Sequence, residues 1–166
     1  MRVLYFSDKV TLVLAFALWA VFQLGATLIC LHLPDRFLSL HKAFFRSYAF
    51  EQDGLLYARL FKVRRWKHLL PDGGTIWKKR GYAKRHLSDF SELNLERFLI
   101  ESCRAELTHW LSIFPFWIFG FFMPAGAVPV MLLYALAVNA PCIIAQRYNR
   151  PRIERLLRKK AKIRRV

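Results

Sequence analysis

A chain of 166 residues with 27 Lys and Arg against 11 Asp and Glu carries a formal charge of +16 and is 55% apolar. That length allows one domain, but the apolar residues fall in blocks and not in the scattered pattern of a soluble core. Cys30, Cys103 and Cys142 are odd in number and widely spaced, which argues against a disulfide framework, and the histidines show no zinc-ligand spacing, so no metal is expected.

Val10 to Leu33 contains no Asp, Glu, Lys or Arg, and at about 1.5 Å per residue it crosses the ~30 Å hydrocarbon layer. The run predicts a transmembrane helix; a cleaved signal peptide competes, but the run is long for an h-region and no small-x-small site precedes Pro34. Phe37, Leu40, Phe44, Phe45 and Tyr48 then recur at helical spacing with His41, Lys42 and Arg46 around them, which predicts an interfacial amphipathic helix from Phe37 to Tyr48. Glu51 to Leu70 mixes aromatic and basic residues, with Phe61 and Trp66 expected at the interface while the bases snorkel to headgroups. A turn is expected at Pro71-Asp-Gly-Gly74 and an irregular basic stretch from Trp77 to His86. Ser88 to Glu96 supplies cap and first-turn residues for a helix beginning near Ser91 or Asn94.

That helix runs into Glu101-Ser-Cys-Arg-Ala-Glu-Leu-Thr-His-Trp110, a cluster of ionisable groups followed by about thirty-five almost uncharged residues. Ionisable groups at a membrane entrance are costly and point to function. Glu106 and His109, three apart, are helix neighbours, with Glu101 and Ser102 on the same broad side and Cys103, Leu107 and Trp110 on the other. A carboxylate beside an imidazole fits a general base, with Glu106 orienting His109. An exposed helix with i,i+3 charge pairs is the plain alternative. Arg104 suits an anion or an ion pair with Glu101.

Thr108 to Ala145 is apolar, and Met123-Pro-Ala-Gly126 divides it into two limbs. The first limb is short and carries Pro115, so a re-entrant loop competes with a full crossing. Asn139, Gln146 and Arg150 fall on one face of the second limb, although Pro141 can kink it. Asn139 needs a hydrogen-bond partner on another helix or on a ligand, and Arg147, Asn149 and Arg150 lie where arginine suits phosphate or carboxylate.

Residues 34–107 hold fifteen Lys/Arg against nine Asp/Glu, residues 146–166 hold ten against one, and residues 1–9 hold two against one. Short basic segments stay cytoplasmic. The fold class that follows is an all-α integral membrane protein of one domain, with crossings at about 10–33, 108–123 and 127–145 and cytoplasmic segments 34–107 and 146–166. The amino terminus and the hairpin tip are then outside and the carboxyl terminus is cytoplasmic. The basic tail comes with no helix-turn-helix, zinc-finger or RNP-like motif, so the expected partners are the lipid bilayer or an acidic acyl carrier and not nucleic acid.

The segments Ile100-Glu-Ser-Cys-Arg-Ala-Glu-Leu-Thr-His-Trp110 and Asn139-Ala-Pro-Cys-Ile-Ile-Ala-Gln-Arg-Tyr-Asn-Arg-Pro-Arg152 resemble the glycosyl-4,4'-diaponeurosporenoate acyltransferase family, the membrane acyltransferases of the last step of staphyloxanthin synthesis. Leu33-Pro-Asp-Arg-Phe37, Phe50-Glu-Gln-Asp-Gly54, Lys62-Val-Arg-Arg-Trp-Lys-His68 and Asp72-Gly73 extend the resemblance over nearly the whole chain. The family pattern RAEL-x-HW falls on Arg104, Glu106, His109 and Trp110, and cysteines at 103 and 142 are not general in it, which disfavours an acyl-cysteine route. The resemblance implies a bacterial cell-membrane enzyme that moves a fatty acyl group to a sugar hydroxyl, C6 of glucose in that pathway, on a glycosylated carotenoid or other glycolipid. No cofactor is expected beyond acyl-CoA or acyl carrier protein as the acyl-donor substrate.

In the expected mechanism His109 deprotonates the hydroxyl, Glu106 stabilises the imidazolium, and Arg104, Asn139 and Gln146 are candidate oxyanion donors. Glu101, Arg147, Asn149, Arg150 and Trp66 complete the substrate-binding candidates, with Arg147 and Arg150 suited to donor phosphates. A non-catalytic scaffold subunit of a glycolipid pathway is the alternative. A transporter is disfavoured, because the polar groups lie near one face and do not line a path.

Overall fold

The computed structural model describes residues 2–40, 42–70 and 90–163, and it is all-helical over them. Helix α1 spans Asp8–His32, α2 Leu55–Leu60, α3 Val63–Trp66, α4 Glu92–Ile113 and α5 Ala127–Ile163, with 3₁₀ turns at Asp35–Phe37, Ala49–Gly54, Lys67–Leu69 and Phe114–Phe121. Helices α1 and α5 are each long and apolar enough to cross a membrane. Most of the apolar surface of α1 is turned outward, as with Val13 and Phe16, about two-thirds exposed. A soluble core helix would bury that surface; hydrocarbon accepts it.

The middle limb is a composite. Helix α4 ends at Ile113, and Pro115, which has no N–H to continue the α-helical ladder, sits at the start of the 3₁₀ segment Phe114–Phe121. A 3₁₀ helix rises about 2.0 Å per residue, so Arg104 to Phe121 covers about 30 Å despite its few residues. At one end Phe121 O accepts bonds from the backbone N–H groups of Val3 and Leu4 at 2.8 and 2.9 Å. At the other, Arg104 reaches the carbonyls of Cys30 and Leu33. This limb therefore accompanies α1 along its length, antiparallel to it.

After the turn at 122–126, α5 returns antiparallel to α4 and continues through Pro141 and Pro151 without interruption. Trp19 ties the three limbs together, its ring 4.9 Å from Phe119 and 5.4 Å from Tyr134. Below it, Ile113, Ala135 and Ile143 form the contact between α4 and α5.

The helix expected from Phe37 to Tyr48 is not formed. Over the described part of that stretch the chain makes a 3₁₀ turn and then irregular turns, while His41 lies outside the described residues. Phe44, Phe45 and Arg46 direct their C=O groups to Arg147 and Arg150, which ties the end of the stretch to α5; of the three, only the Phe44 carbonyl would have had a partner inside a helix ending at Tyr48. Phe45 and Leu38 are buried against Cys103 and Leu107, so the Cys103 side of α4 packs as its periodicity predicts. Helix α4 begins at its expected cap, with the Asn94 N–H donating to Ser91 Oγ at 3.3 Å. The expected turn at Pro71–Gly74, the basic stretch Trp77–His86 and the resembling Asp72-Gly73 lie outside the described residues.

Candidate active site

Two polar layers join α4 to α5. In the deeper one, His109 Nδ1 lies 2.8 Å from Asn139 Oδ1. The Asn139 side chain is 3% exposed, and its Nδ2 donates to Ala135 O one turn earlier at 2.9 Å. That bond fixes which end of the amide faces the histidine: a carbonyl oxygen accepts, so Nδ1 carries a proton, and in the neutral ring the lone pair is on Nε2. An imidazole held in this tautomer is a base at Nε2.

The second layer is one turn nearer the basic end of the bundle. Glu106 is fully buried, and its oxygens accept from Arg147 Nε at 2.7 Å and Arg150 Nη2 at 2.5 Å. Arg150, only 1% exposed, also donates to Phe45 O at 2.9 Å and Ser102 O at 3.2 Å. Arg147 adds bonds to Phe44 O at 2.5 Å and Arg46 O at 3.2 Å and an ion pair with Glu51 at 3.4 Å. Glu51 in turn accepts from the Tyr48 N–H at 2.8 Å and the Tyr57 hydroxyl at 2.5 Å. Two carboxylates and two guanidiniums thus cancel in charge, and nearly every donor has an acceptor. Burial, and then the bond to Glu51, pushes the Tyr57 hydroxyl well above its ordinary pKa.

The segment that delivers Glu51 has unusual backbone. Gln52, Asp53 and Gly54 have φ of 48°, 56° and 85°. A Cβ on Gly54 would lie 2.7 Å from the carbonyl oxygen of Tyr148. Glycine here answers both demands, a left-handed conformation and direct contact with the α5 backbone. Non-glycine residues held in the left-handed region mark over-determined structure, in this case the loop that turns Glu51 inward.

Helix spacing alone pairs His109 with Glu106. In the fold the Glu106 oxygens are taken by Arg147 and Arg150, and Nδ1 of His109 meets Asn139 on the facing helix. Arg147 and Arg150 are correspondingly bound to protein groups where donor phosphates were expected. Arg104 is also committed: it donates to Cys30 O, to Leu33 O at 2.9 Å and to Asp35 at 2.5 Å, and pairs with Glu101 at 3.3 Å. Its positive charge on the last carbonyls of α1 complements the helix dipole, and Glu101 links it to Arg97 at 2.8 Å.

Gln146 lies on the Asn139 face with its Oε1 buried. Asn149 Oδ1 accepts from Lys67 Nζ at 3.0 Å; burial, with Arg152 and Arg64 nearby, draws the pKa of that lysine down although Tyr148 opposes the shift. Trp66 Nε1 donates to Phe61 O at 2.7 Å. Glu51, Tyr57 and Gly54 belong to the polar layer yet were not among the expected site residues. The only sequence signal for them is the Phe50-Glu-Gln-Asp-Gly54 block, whose glycine after two polar residues marks a turn.

Beside the second layer, on the far side of the 44–53 segment, a cleft of about 860 Å³ opens between that segment and the last turns of α5.

Residues 41–159 match the family model described as glycosyl-4,4'-diaponeurosporenoate acyltransferase. Proteins of that name from Staphylococcus aureus strains bovine RF122, MRSA252 and USA300 are each 38% identical over 140 residues, covering 84% of this chain and 84% of theirs. No solved structure matches the chain significantly.

Proposed function

This chain belongs to the glycosyl-4,4'-diaponeurosporenoate acyltransferase family, and from that premise we propose that it transfers a fatty acyl group from an acyl thioester to a sugar hydroxyl of a membrane glycolipid, with His109 as general base. The acceptor class follows the relatives' name, a glycosylated carotenoid acid, and the primary C6 hydroxyl of its glucose is the least hindered nucleophile. The observation that carries the base assignment is the His109 to Asn139 bond, anchored through Ala135 O.

Nε2 of His109 takes the hydroxyl proton as the oxygen attacks the thioester carbonyl. The tetrahedral intermediate collapses with cleavage of the C–S bond, and the imidazolium returns its proton to the departing thiolate. Asn139 keeps the ring oriented and spreads the charge of the imidazolium. Gln146, two turns further along the same face, supplies amide donors for the developing oxyanion. Glu106 acts at one remove, by locking Arg147 and Arg150 and so the register of α4 on α5. The charge distribution supports an orientation with the amino terminus and the 122–126 turn outside and both polar layers near the cytoplasmic face, where acyl-CoA and acyl carrier protein reside.

General-base catalysis is worth typically 10² to 10⁴-fold. Purified His109→Ala protein, given a glycosylated carotenoid acid and acyl-CoA or acyl carrier protein, should lose about that factor while inserting normally into membranes. Near-normal turnover would remove His109 from the chemistry, and failure of the parent protein with every donor and acceptor would favour a scaffold.

A further inference from the structure

With Arg147 and Arg150 bonded to carboxylates and carbonyls, the phosphates of an acyl donor need other cations. The cleft of about 860 Å³ beside the second polar layer has them: Arg46 on one wall and Arg155 and Arg158 on the other, above an apolar floor that includes Leu40, Leu99 and Pro151. We propose that this cleft holds the phosphorylated nucleotide end of a coenzyme A thioester, so that the acyl donor enters from the basic end of the bundle with its thioester directed toward His109. This rests on the acyltransfer reading above and names its donor.

The cleft is of a size that holds small molecules. The three arginines are available in a way that Arg147 and Arg150 are not. Arg155 pairs with Asp53, and both are more than half exposed; Arg158 pairs with Glu154 and is 77% exposed. Exposed ion pairs of this kind contribute little to stability, so exchange for a phosphate, which accepts charge-assisted bonds from a planar guanidinium fork, is easily made. The Arg46 guanidinium carbon lies over the Tyr48 ring, 4.8 Å from its centroid, and a guanidinium is itself a group on which an aromatic base stacks. The mixture is the one a nucleotide needs: cations for its phosphates, and aromatic and aliphatic surface for its base.

Position favours a donor over an acceptor. Arg46 belongs to both sites, since its carbonyl accepts from Arg147 while its side chain lines the cleft. Leu99, the α4 residue of the cleft, is ten residues from His109, about 15 Å of helix rise, a span that an extended pantetheine arm covers. An acyl carrier protein offers an acidic surface and a single phosphate, and it uses neither the depth of the cleft nor its floor.

The test is binding and kinetics of the full chain in detergent or nanodiscs without added anionic lipid. The probes are coenzyme A, its 3'-dephospho form, and vesicles of phosphatidylglycerol. Arg155→Ala/Arg158→Ala should weaken coenzyme A binding at least tenfold and raise KM for acyl-CoA by a similar factor, with kcat at saturation and KM for the glycolipid unchanged. The dephospho form should bind more weakly to the parent than coenzyme A does. A second variant, Ala49→Trp, fills the cleft without removing a charge and should give the same KM effect.

His109→Ala should bind coenzyme A as the parent does, which separates the cleft from the base: loss of turnover with binding retained supports both. Unchanged KM for acyl-CoA in both cleft variants overturns the cleft assignment and leaves the acyltransfer reading intact. Displacement of coenzyme A by phosphatidylglycerol vesicles at equal phosphate concentration would also overturn it, assigning the arginines to lipid headgroups. So would turnover supported by acylated carrier protein alone.

Discussion

Glu106→Gln separates a structural role for this carboxylate from a catalytic one. The side chain is fully buried, and it accepts from Arg150, itself 1% exposed, and from Arg147, whose side chain is 15% exposed. Glutamine keeps the volume but removes the negative charge and turns one acceptor into a donor that faces an arginine. Arginine stays protonated, so the loss cannot be relieved by a proton leaving. Breaking a buried pair by removing one partner costs about 3–5 kcal/mol. In a chain of this size each kcal/mol moves the melting temperature by about 2–4 °C, so the variant should melt about 6–20 °C lower.

Thermal unfolding of purified protein in one detergent reads this directly. Arg150→Gln should cost a comparable amount and the double variant less than the sum of the two, since the remaining groups no longer face an uncompensated charge. His109→Ala leaves the buried Asn139 Oδ1 without its bond, which costs about 1–3 kcal/mol, so it should melt about 2–12 °C lower, less than Glu106→Gln. The reasoning is refuted if Glu106→Gln melts like the parent and yet loses turnover, because the carboxylate would then act in the reaction and not in the clamp.

Other consequences are checked by similar means. Gly54→Ala places a Cβ 2.7 Å from the Tyr148 carbonyl oxygen at a φ of 85°; it should destabilise by about 1–3 kcal/mol or more, seen as lower melting with KM and kcat altered together. Asn139→Leu frees the imidazole to rotate and should lower kcat by about 10–100-fold, with KM for acyl-CoA nearly unchanged and the pH profile of kcat shifted; an unchanged profile would show that Asn139 only packs. Tyr57 gives a pH dependence: its folded-state pKa is raised, so the stability carried by the neutral hydroxyl is whole below the ordinary tyrosine value of about 10 and falls as pH rises above it. Melting followed from pH 9 to 11 should therefore decline more steeply in the parent than in Tyr57→Phe.

Two helices long and apolar enough to cross a membrane were legible because a bilayer imposes a length and a polarity that few other environments demand, and Val10–Leu33 meets both. The face shared by Asn139, Gln146 and Arg150 followed from helical period alone, and so did the packing of Cys103. What period cannot supply is the partner across an interface. Glu106 and His109 are neighbours on α4, yet Arg147, Arg150 and Asn139, which bond them, lie on α5, thirty or more residues away in sequence. The stretch Phe37–Tyr48 shows the same limit: its apolar spacing suits a helix, but its end is tied to α5 through the Phe44, Phe45 and Arg46 carbonyls, a long-range contact that local spacing does not show. Arg104 reads from sequence as a ligand for an anion or a partner of Glu101, and the Glu101 pair is present; its bonds to the end of α1 were not legible, because nothing nearby shows that α1 ends where its guanidinium arrives.

The division between the two layers follows from where each sits. Lipid tails are as apolar as leucine, so burial gives the limbs little reason to choose one register over another, and packing and hydrogen bonds must do so. In this chain the choice falls to the few polar groups that touch across helices. Arg104 fixes α4 on the end of α1, and Glu106 with Arg147 and Arg150 fixes α5 on α4. One turn deeper, where a full charge would be harder to keep, the sequence places a neutral amide and an imidazole. The permanent charges thus sit in the layer nearer the basic end of the bundle, and the group that the proposed reaction would charge only transiently sits one turn further in. Moving the charges inward by exchanging the layers, as in Asn139→Glu, should cost both stability and turnover, and a variant that retained both would argue that depth has no part in the design.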